Sequence, residues 1–262
     1  MKKKTQIDAV RNLKAVRIVK AFMTDLDRDA IFRKHRELKG LYSTGLNETI
    51  MNAKKINGKF YFNVRIDGLY NLVDGNCNVL SDIWFSYIDI FWGNKFTRVA
   101  LNRKFNYIGY DGKLLYKRPY KDWFDVTWNF TNGFGTLMKN RKENYIDSNG
   151  KILSKTWFKF TLDFGSYDGI KKFAVVINKK DKYALIKKDG TLLPINGKKW
   201  FAHICPAWIK NGDDYTPCFR IRTKADTSEY ILIGKDGKQI IGQEFYCAYN
   251  KPPKEKKNEK NL

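Results

Sequence analysis

From residue 58 to residue 248 the chain repeats one pattern of apolar and polar positions. A strand opens each copy: Phe60, Phe62, Val64 and Ile66 alternate with Tyr61, Asn63 and Arg65, the period of two of a half-buried strand. Its counterparts run Phe96–Leu101, Phe134–Met138, Phe173–Ile177 and Phe219–Thr223. A tyrosine follows at Tyr70, Tyr107, Tyr145, Tyr183 and Tyr230, then a turn glycine at Gly75, Gly112, Gly150, Gly190 and Gly237, mostly inside Asp-Gly or Asn-Gly. The tyrosine precedes the glycine by five residues in the first three copies and by seven in the last two. Both offsets are odd, so the rings belong to one sheet face. Next come apolar pairs, Val79-Leu80, Leu114-Leu115, Ile152-Leu153, Leu192-Leu193 and Ile240-Ile241, and then Trp84-Phe85, Trp123-Phe124, Trp157-Phe158 and Trp200-Phe201. The fifth copy has Glu244-Phe245 instead, the kind of change a terminal unit makes.

The glycine intervals are 37, 38, 40 and 47 residues. A period near 40 marks an array in which each unit buries its face against its neighbours. Asp-Gly and Asn-Gly adopt the positive φ of a type I′ turn, which suits a hairpin. The predicted fold is all-β: about five three-stranded antiparallel β-meander repeats in an open array, with a five-bladed β-propeller as the alternative. Aromatics at repeat spacing are expected to form the internal ladder between neighbouring units.

Residues 1–57 have a different texture and predict an N-terminal α-helical appendage. Ile7 to Phe22 suits a helix, with Arg11, Lys14, Arg17 and Lys20 at every third position. That spacing drifts around the helix and does not hold one face, so a helix packed on the repeats is favoured over a basic DNA-reading helix. A second helix is expected from Asp29, as N-cap, to Lys39, with Gly40 as the residue beyond its end. Residues 249–262, with Lys251-Pro252-Pro253-Lys254, read as a disordered basic tail.

The pattern Phe-x-Val-x-Ile … Lys-Tyr-x-x-Ile-x-x-Asp-Gly-Lys-x-Leu … Trp-Phe resembles the bacterial WG repeat, also called the KWG repeat. Phe134–Phe158 and Phe173–Phe201 match best, and the resemblance covers residues 58–248. The Trp-Gly pair that names the family is replaced by Asn-Tyr-Ile-Asp at Asn144–Asp147 and by Lys-Tyr-Ala-Leu at Lys182–Leu185, which marks a divergent member. The resemblance implies an interaction module without common chemistry, of a kind found in bacterial and phage-borne proteins, and it carries no catalytic residue across.

Charge adds one feature. The 262 residues hold 50 Lys+Arg against 27 Asp+Glu, a formal net charge of +23, which favours nucleic acid, acidic proteins or anionic surfaces as partners. The excess is not confined to the ends: residues 1–57 hold 14 basic against 6 acidic side chains, and the stretch after Asn250 holds 5 against 2. Turns joining the first two strands of successive repeats are basic, reading Asn102-Arg103-Lys104, Lys139-Asn140-Arg141-Lys142, Lys179-Lys180 and Lys224. Equivalent turns of an array share an edge, so Arg103, Lys104, Lys139, Arg141, Lys142, Lys179, Lys180 and Lys224 are predicted to line a stripe suited to a phosphate backbone, with tyrosines near for stacking. The competing reading is that solvated turns of a lysine-rich chain are basic regardless. The first repeat departs, its turn being Asp67-Gly68.

Catalytic and metal chemistry find little support. His35 and His203 are the only histidines, and neither a P-loop nor a GxGxxG after a strand occurs. His203, Cys205, Cys218 and Cys247 lack the paired spacing of a zinc hook. Asp25, Asp27 and Asp29 begin like a calcium loop that fails at Ala30 and Arg36. No catalytic residue, cofactor or metal is expected. Four scattered cysteines, no signal-like apolar stretch behind Met1-Lys2-Lys3-Lys4 and no apolar run near 20 residues predict a cytoplasmic protein without membrane insertion. The expected function is a non-enzymatic repeat scaffold that binds another protein. The alternatives are a nucleic-acid-associated protein using the basic stripe, and a structural component of a larger phage or bacterial assembly docked by residues 1–57.

Overall fold

The computed structural model describes residues 2–25, 38–43, 48–89, 95–166, 170–211, 214–225, 229–243 and 245–246. The chain divides into two compact units, residues 1–129 and 130–262.

The first unit begins with α1 (Lys2–Asp25), followed by β1 (Leu38–Ser43), β2 (Glu48–Ile56), β3 (Lys59–Ile66) and β4 (Leu69–Asp74), an antiparallel sheet in sequence order. Ala15, Ile18, Val19 and Phe22 recur at the i, i+3, i+4, i+7 spacing of one helix face. They are buried against Ile50, Ala53, Phe62, Val64, Ile66, Val73 and Trp84. Asn12 on α1 accepts a hydrogen bond from Trp84 Nε1 at 2.9 Å, and Lys14 Nζ reaches Asp67 at 3.2 Å. That ion pair accounts for the acidic turn of the first repeat: it receives the helix. A second sheet, β5 (Tyr87–Ile88), β6 (Phe96–Leu101) and β7 (Lys104–Gly109), completes the unit's β-structure together with most of the next strand.

The division falls within β8 (Val126–Thr131), the outer strand of the sheet it forms with β9 (Phe134–Lys139) and β10 (Lys142–Asp147). The second unit continues with β11 (Phe160–Thr161), β12 (Phe173–Ile177) and β13 (Tyr183–Lys187). It ends with β14 (His203–Asn211), β15 (Asp214–Arg222), β16 (Tyr230–Gly234), β17 (Gln239–Ile240) and β18 (Phe245–Tyr246), a sheet of order β17-β16-β15-β14-β18. Among the described residues the strand pairings of known register are antiparallel, the sheets are open, and beyond α1 the structure is β apart from one 3-10 turn at Tyr120–Asp122. Among the described residues no helix is long and apolar enough to cross a membrane.

Three details differ from the sequence expectation. First, the apolar pair after the turn is not the third strand of the meander. Val79, Leu114, Ile152 and Leu192 each make one isolated bridge, to Val73, Ile108, Ile146 and Ile186, and the third strand comes from the segment ahead of the hairpin. In the last copy Ile240 of the pair lies in a strand, β17, together with Gln239. The connectors return to their sheets once more, where Phe85, Phe124, Phe158 and Phe201 bridge to Tyr70, Phe105, Glu143 and Tyr183. Second, Leu38 and Lys39 lie in β1, so a helix does not run to Lys39; the remainder of Asp29–Lys39 lies outside the described residues, as does the tail 249–262. β2 is drawn into the first sheet by backbone pairing to β3 and β1 by pairing to β2, which overrides local helix propensity at Leu38 and Lys39. Third, the left-handed turn position of the first repeat is held by Cys77, at φ 64°, and not by Gly75. Cys77 N bonds Asp74 O as Gly112, Gly150, Gly190 and Gly237 bond their own partners three residues back.

With Cys77 as anchor, an asparagine stands six residues ahead of the turn in three repeats: Asn71, Asn106 and Asn144, all fully buried. Each amide accepts from the next backbone N–H and donates into its own connector. Asn144 Nδ2 reaches Ser154 O at 2.8 Å and Thr156 O at 3.2 Å, while its Oδ1 accepts from Tyr145 N at 2.8 Å and Ser154 N at 3.3 Å. These side chains do the pairing that the broken fourth strand leaves undone.

Candidate nucleic-acid interface

Among the described residues six tight turns have both central residues at positive φ, as in a type I′ turn. In four of them glycine fills the second position: Asn57-Gly58, Asp67-Gly68, Asn132-Gly133 and Asn196-Gly197. Two differ, Asn102-Arg103 (φ 44° and 66°) and Asn140-Arg141 (φ 54° and 60°). A left-handed conformation costs a side-chain-bearing residue about 1–2 kcal/mol more than glycine. Arginine is therefore held at these two tips against the local preference, and both side chains are exposed.

In the second unit the structure gathers four of the eight predicted cations. Arg141 and Lys142 from the β9–β10 turn, and Lys179 and Lys180 from the β12–β13 turn, line a cleft of about 550 Å³ with Lys159, Thr156, Trp157 and Asn178. Backbone pairing explains the gathering. Glu143 and Phe158 exchange both hydrogen bonds at 2.9 Å, which sets Lys142 opposite Lys159. Lys159 N in turn donates to Ile177 O at 2.8 Å, and β11 pairs Phe160 with Ile177, so Asn178 follows beside Lys159. Neighbouring strands lie about 4.8 Å apart, and the three positions make a row across two sheets. Lys159 Nζ also bonds Asp181 Oδ1 at 2.5 Å, in an exposed pair.

Beneath the row lies a buried polar group. Glu143 takes the place that Tyr70, Phe105 and Tyr183 hold in other repeats. Its carboxylate accepts from Thr161 N at 2.7 Å and Thr161 Oγ1 at 3.0 Å, which fixes the chain just beyond Lys159. Burial raises the Glu143 pKa, the two Thr161 bonds oppose the rise, and the charge of Asp163 adds to it.

The remaining predicted residues are elsewhere. Lys139 is half-buried and outside the cleft lining; Lys224 is exposed beyond β15. In the first unit Arg103 stands at its turn tip, and Lys104 Nζ is engaged by Asp125 Oδ1 at 2.5 Å. The residues that sequence reasoning missed are Thr156, Trp157, Lys159 and Asn178. Trp157 had been expected in the internal ladder, a role that Trp84, Trp123 and Trp200 fill within or against core clusters. Glu143 in place of an aromatic was the one sequence signal that the third repeat differs.

The other polar cluster does not suit a cation. His203 and Cys205 share a face of β14, but the register sets Arg222 and Arg220 opposite them. Burial, Arg222 and Arg220, in that order, hold the imidazole pKa below its ordinary value. Cys218 is buried on β15, and Cys247 lies outside the described residues.

No family model matches the sequence, and no curated protein matches it. Solved structures give low-identity likenesses. A HIRA segment is 8% identical, with 60% of this chain and 55% of that chain covered, at a TM-score of 0.29; the chain thus spans about half of that structure. Kluyveromyces lactis Hsv2 is 10% identical, covering 68% and 65%, at a TM-score of 0.30. The WD40 beta propeller domain of Doa1 is 11% identical, covering 79% and 75%, at a TM-score of 0.26.

Proposed function

We propose that this protein is a non-enzymatic repeat scaffold that holds a polyanionic partner, with nucleic acid as the fitting class. The observation that carries the reading is the cleft: Arg141, Lys142, Lys159, Lys179 and Lys180 converge on one half-buried indole. Arginine kept in a left-handed turn, where glycine stands in four other turns of the same conformation, supports a use for its charge. The free thiols of Cys77, Cys205 and Cys218 support a reducing, cytoplasmic setting. We also read the units as divergent WG repeats, on the recurring Asp-Gly turn, apolar pair and Trp-Phe. A protein partner has separate support, in the exposed Ile7, Val10 and Leu13 on α1.

The turn arginine separates binding from folding. Arg141→Gly relieves backbone strain and is expected to raise stability by about 1 kcal/mol while weakening polyanion binding. Charge reversal at Lys142, Lys179 and Lys180 is expected to abolish that binding, and the wild-type affinity to fall steeply with salt. Binding by fluorescence anisotropy to duplex DNA, single-stranded DNA and polyphosphate reads all three effects. Affinity unaltered by the charge reversals refutes the assignment of this cleft.

A further inference from the structure

Within that polyanion reading, on which this step rests, we propose that the cleft is a subsite for single-stranded nucleic acid, with one base stacked on Trp157 and the flanking phosphates along Lys142, Lys159 and the Lys179-Lys180 turn. Four tryptophans occupy one repeat position, and three are absorbed by the fold. Trp84 and Trp123 are buried, with their indole N–H groups bonded to Asn12 Oδ1 and Arg118 O. Trp200, half-buried as Trp157 is, packs against the core cluster that holds Phe158, with ring centroids 6.4 Å apart. Trp157 is half-buried, lines the cleft, and its Nε1 finds no hydrogen-bond partner among the described residues.

The surroundings fit a nucleotide chain in three further respects. Lys142 and Lys159 face each other across neighbouring strands, a like-charge pair that destabilises a sheet; Asp181 compensates it from the Lys159 side, and a phosphate between the two would relieve the rest. Thr156 Oγ1 and Asn178 Nδ2 make no hydrogen bond among the described residues and are free to meet a base edge. The cleft is large enough for a nucleotide, with the indole inside and the cations around it. A duplex keeps its bases stacked on one another, so only an unpaired base can use the ring. An acidic peptide would satisfy the lysines and leave the indole without a planar partner.

The test compares a labelled oligothymidylate, a duplex and inorganic polyphosphate, using the full chain. Trp157→Ala is expected to weaken oligothymidylate binding about tenfold and to leave polyphosphate binding unchanged. Trp157→Phe, which keeps a ring, should retain most of the affinity. Ultraviolet crosslinking of a bromodeoxyuridine oligonucleotide to the wild-type protein, with the adduct mapped by mass spectrometry, needs no variant and should label Trp157. Equal affinity for all three probes, with no dependence on Trp157 and an adduct elsewhere, overturns the base subsite; the polyanion reading then survives only if charge reversal still removes binding. If charge reversal has no effect either, both fall.

Discussion

The buried asparagines offer the sharpest test of how the repeat is held together. Asn144 makes four hydrogen bonds, two accepted and two donated, all between 2.8 and 3.3 Å. Asn144→Ala removes them together. Ser154 is half-buried and Thr156 exposed, so water can replace the amide at those two residues. Tyr145 N, inside a fully buried stretch of β10, has no such recourse. Its desolvation costs about 1–3 kcal/mol, and the bonds surrendered to water add about 0.5–1.5 kcal/mol each. A loss of about 2.5–7.5 kcal/mol follows, read as a shift of the urea midpoint at unchanged slope. Asn144→Asp keeps the shape and the acceptors but points a carboxylate at two carbonyl oxygens. The charged form is disfavoured in the fold, so this variant's folded pKa lies above its unfolded one. Its penalty is therefore smallest below the unfolded pKa and grows as pH rises through the folded pKa. The alanine variant shows no such dependence. An Asn144→Ala protein within about 1 kcal/mol of wild type would refute the reasoning. The fourth repeat supplies an internal control, because Ala184 stands where the first three have asparagine. Its connector bonds to itself, Ile195 N to Lys198 O at 2.8 Å and Lys198 N to Ile195 O at 3.0 Å, around the Asn196-Gly197 turn.

Gly190→Ala is expected to cost more than about 3 kcal/mol, since the new Cβ would lie 2.0 Å from the backbone oxygen of Leu153, where a side chain cannot yield. Gly133→Ala, also at positive φ but with nothing within 4 Å, should cost only about 1–2 kcal/mol; thermal unfolding of the pair checks the difference, and equal losses would disprove the inter-repeat contact. For Glu143 the raised pKa fixes a sign. Its ionised form is the disfavoured one in the fold, so the stability it contributes is fully present below the unfolded carboxyl pKa and is lost as pH rises through the folded value. Glu143→Gln should therefore be more stable than wild type at neutral pH, with the gap closing on acidification; a gap that is constant with pH would rule out burial of the charge as the cause.

Much of this architecture was legible because the repeat compares the chain with itself. Alternation at Phe60–Ile66 and the recurring turn identified the hairpins, and the paired bridges of Phe85, Phe124, Phe158 and Phe201 explain why that aromatic recurs. What stayed hidden depended on register. Anchoring the first copy on Gly75 placed Asn71 four residues ahead of the turn, while Asn106 and Asn144 stand six ahead of theirs, and the shared role disappeared. Nothing in the composition says that Cys77 will adopt φ 64°. β1 and β2 were hidden for another reason: they lie ahead of the first recognisable repeat strand, β1 pairing with β2 and β2 with β3 across the Asn57-Gly58 turn, and neither carries the residues that mark a repeat. In the site, the basic turns were readable one by one, but Lys159 joins them only through the Glu143–Phe158 bridge, which no spacing rule encodes.

The same self-comparison locates function by exception. An array needs each position filled alike, so a position that breaks the pattern is either a loss or a use. Glu143 replaces an aromatic and Trp157 leaves the core clusters its three counterparts join, both within the repeat where Arg141, like Arg103 one repeat earlier, holds a left-handed turn position; Arg141 and Trp157 line one cleft. Each substitution taken alone weakens the fold: a buried carboxylate, a left-handed arginine, a half-buried indole. Their concentration at the one place where five cations surround an aromatic face is what a binding site does to a scaffold, trading local stability for a surface that the other units do not have.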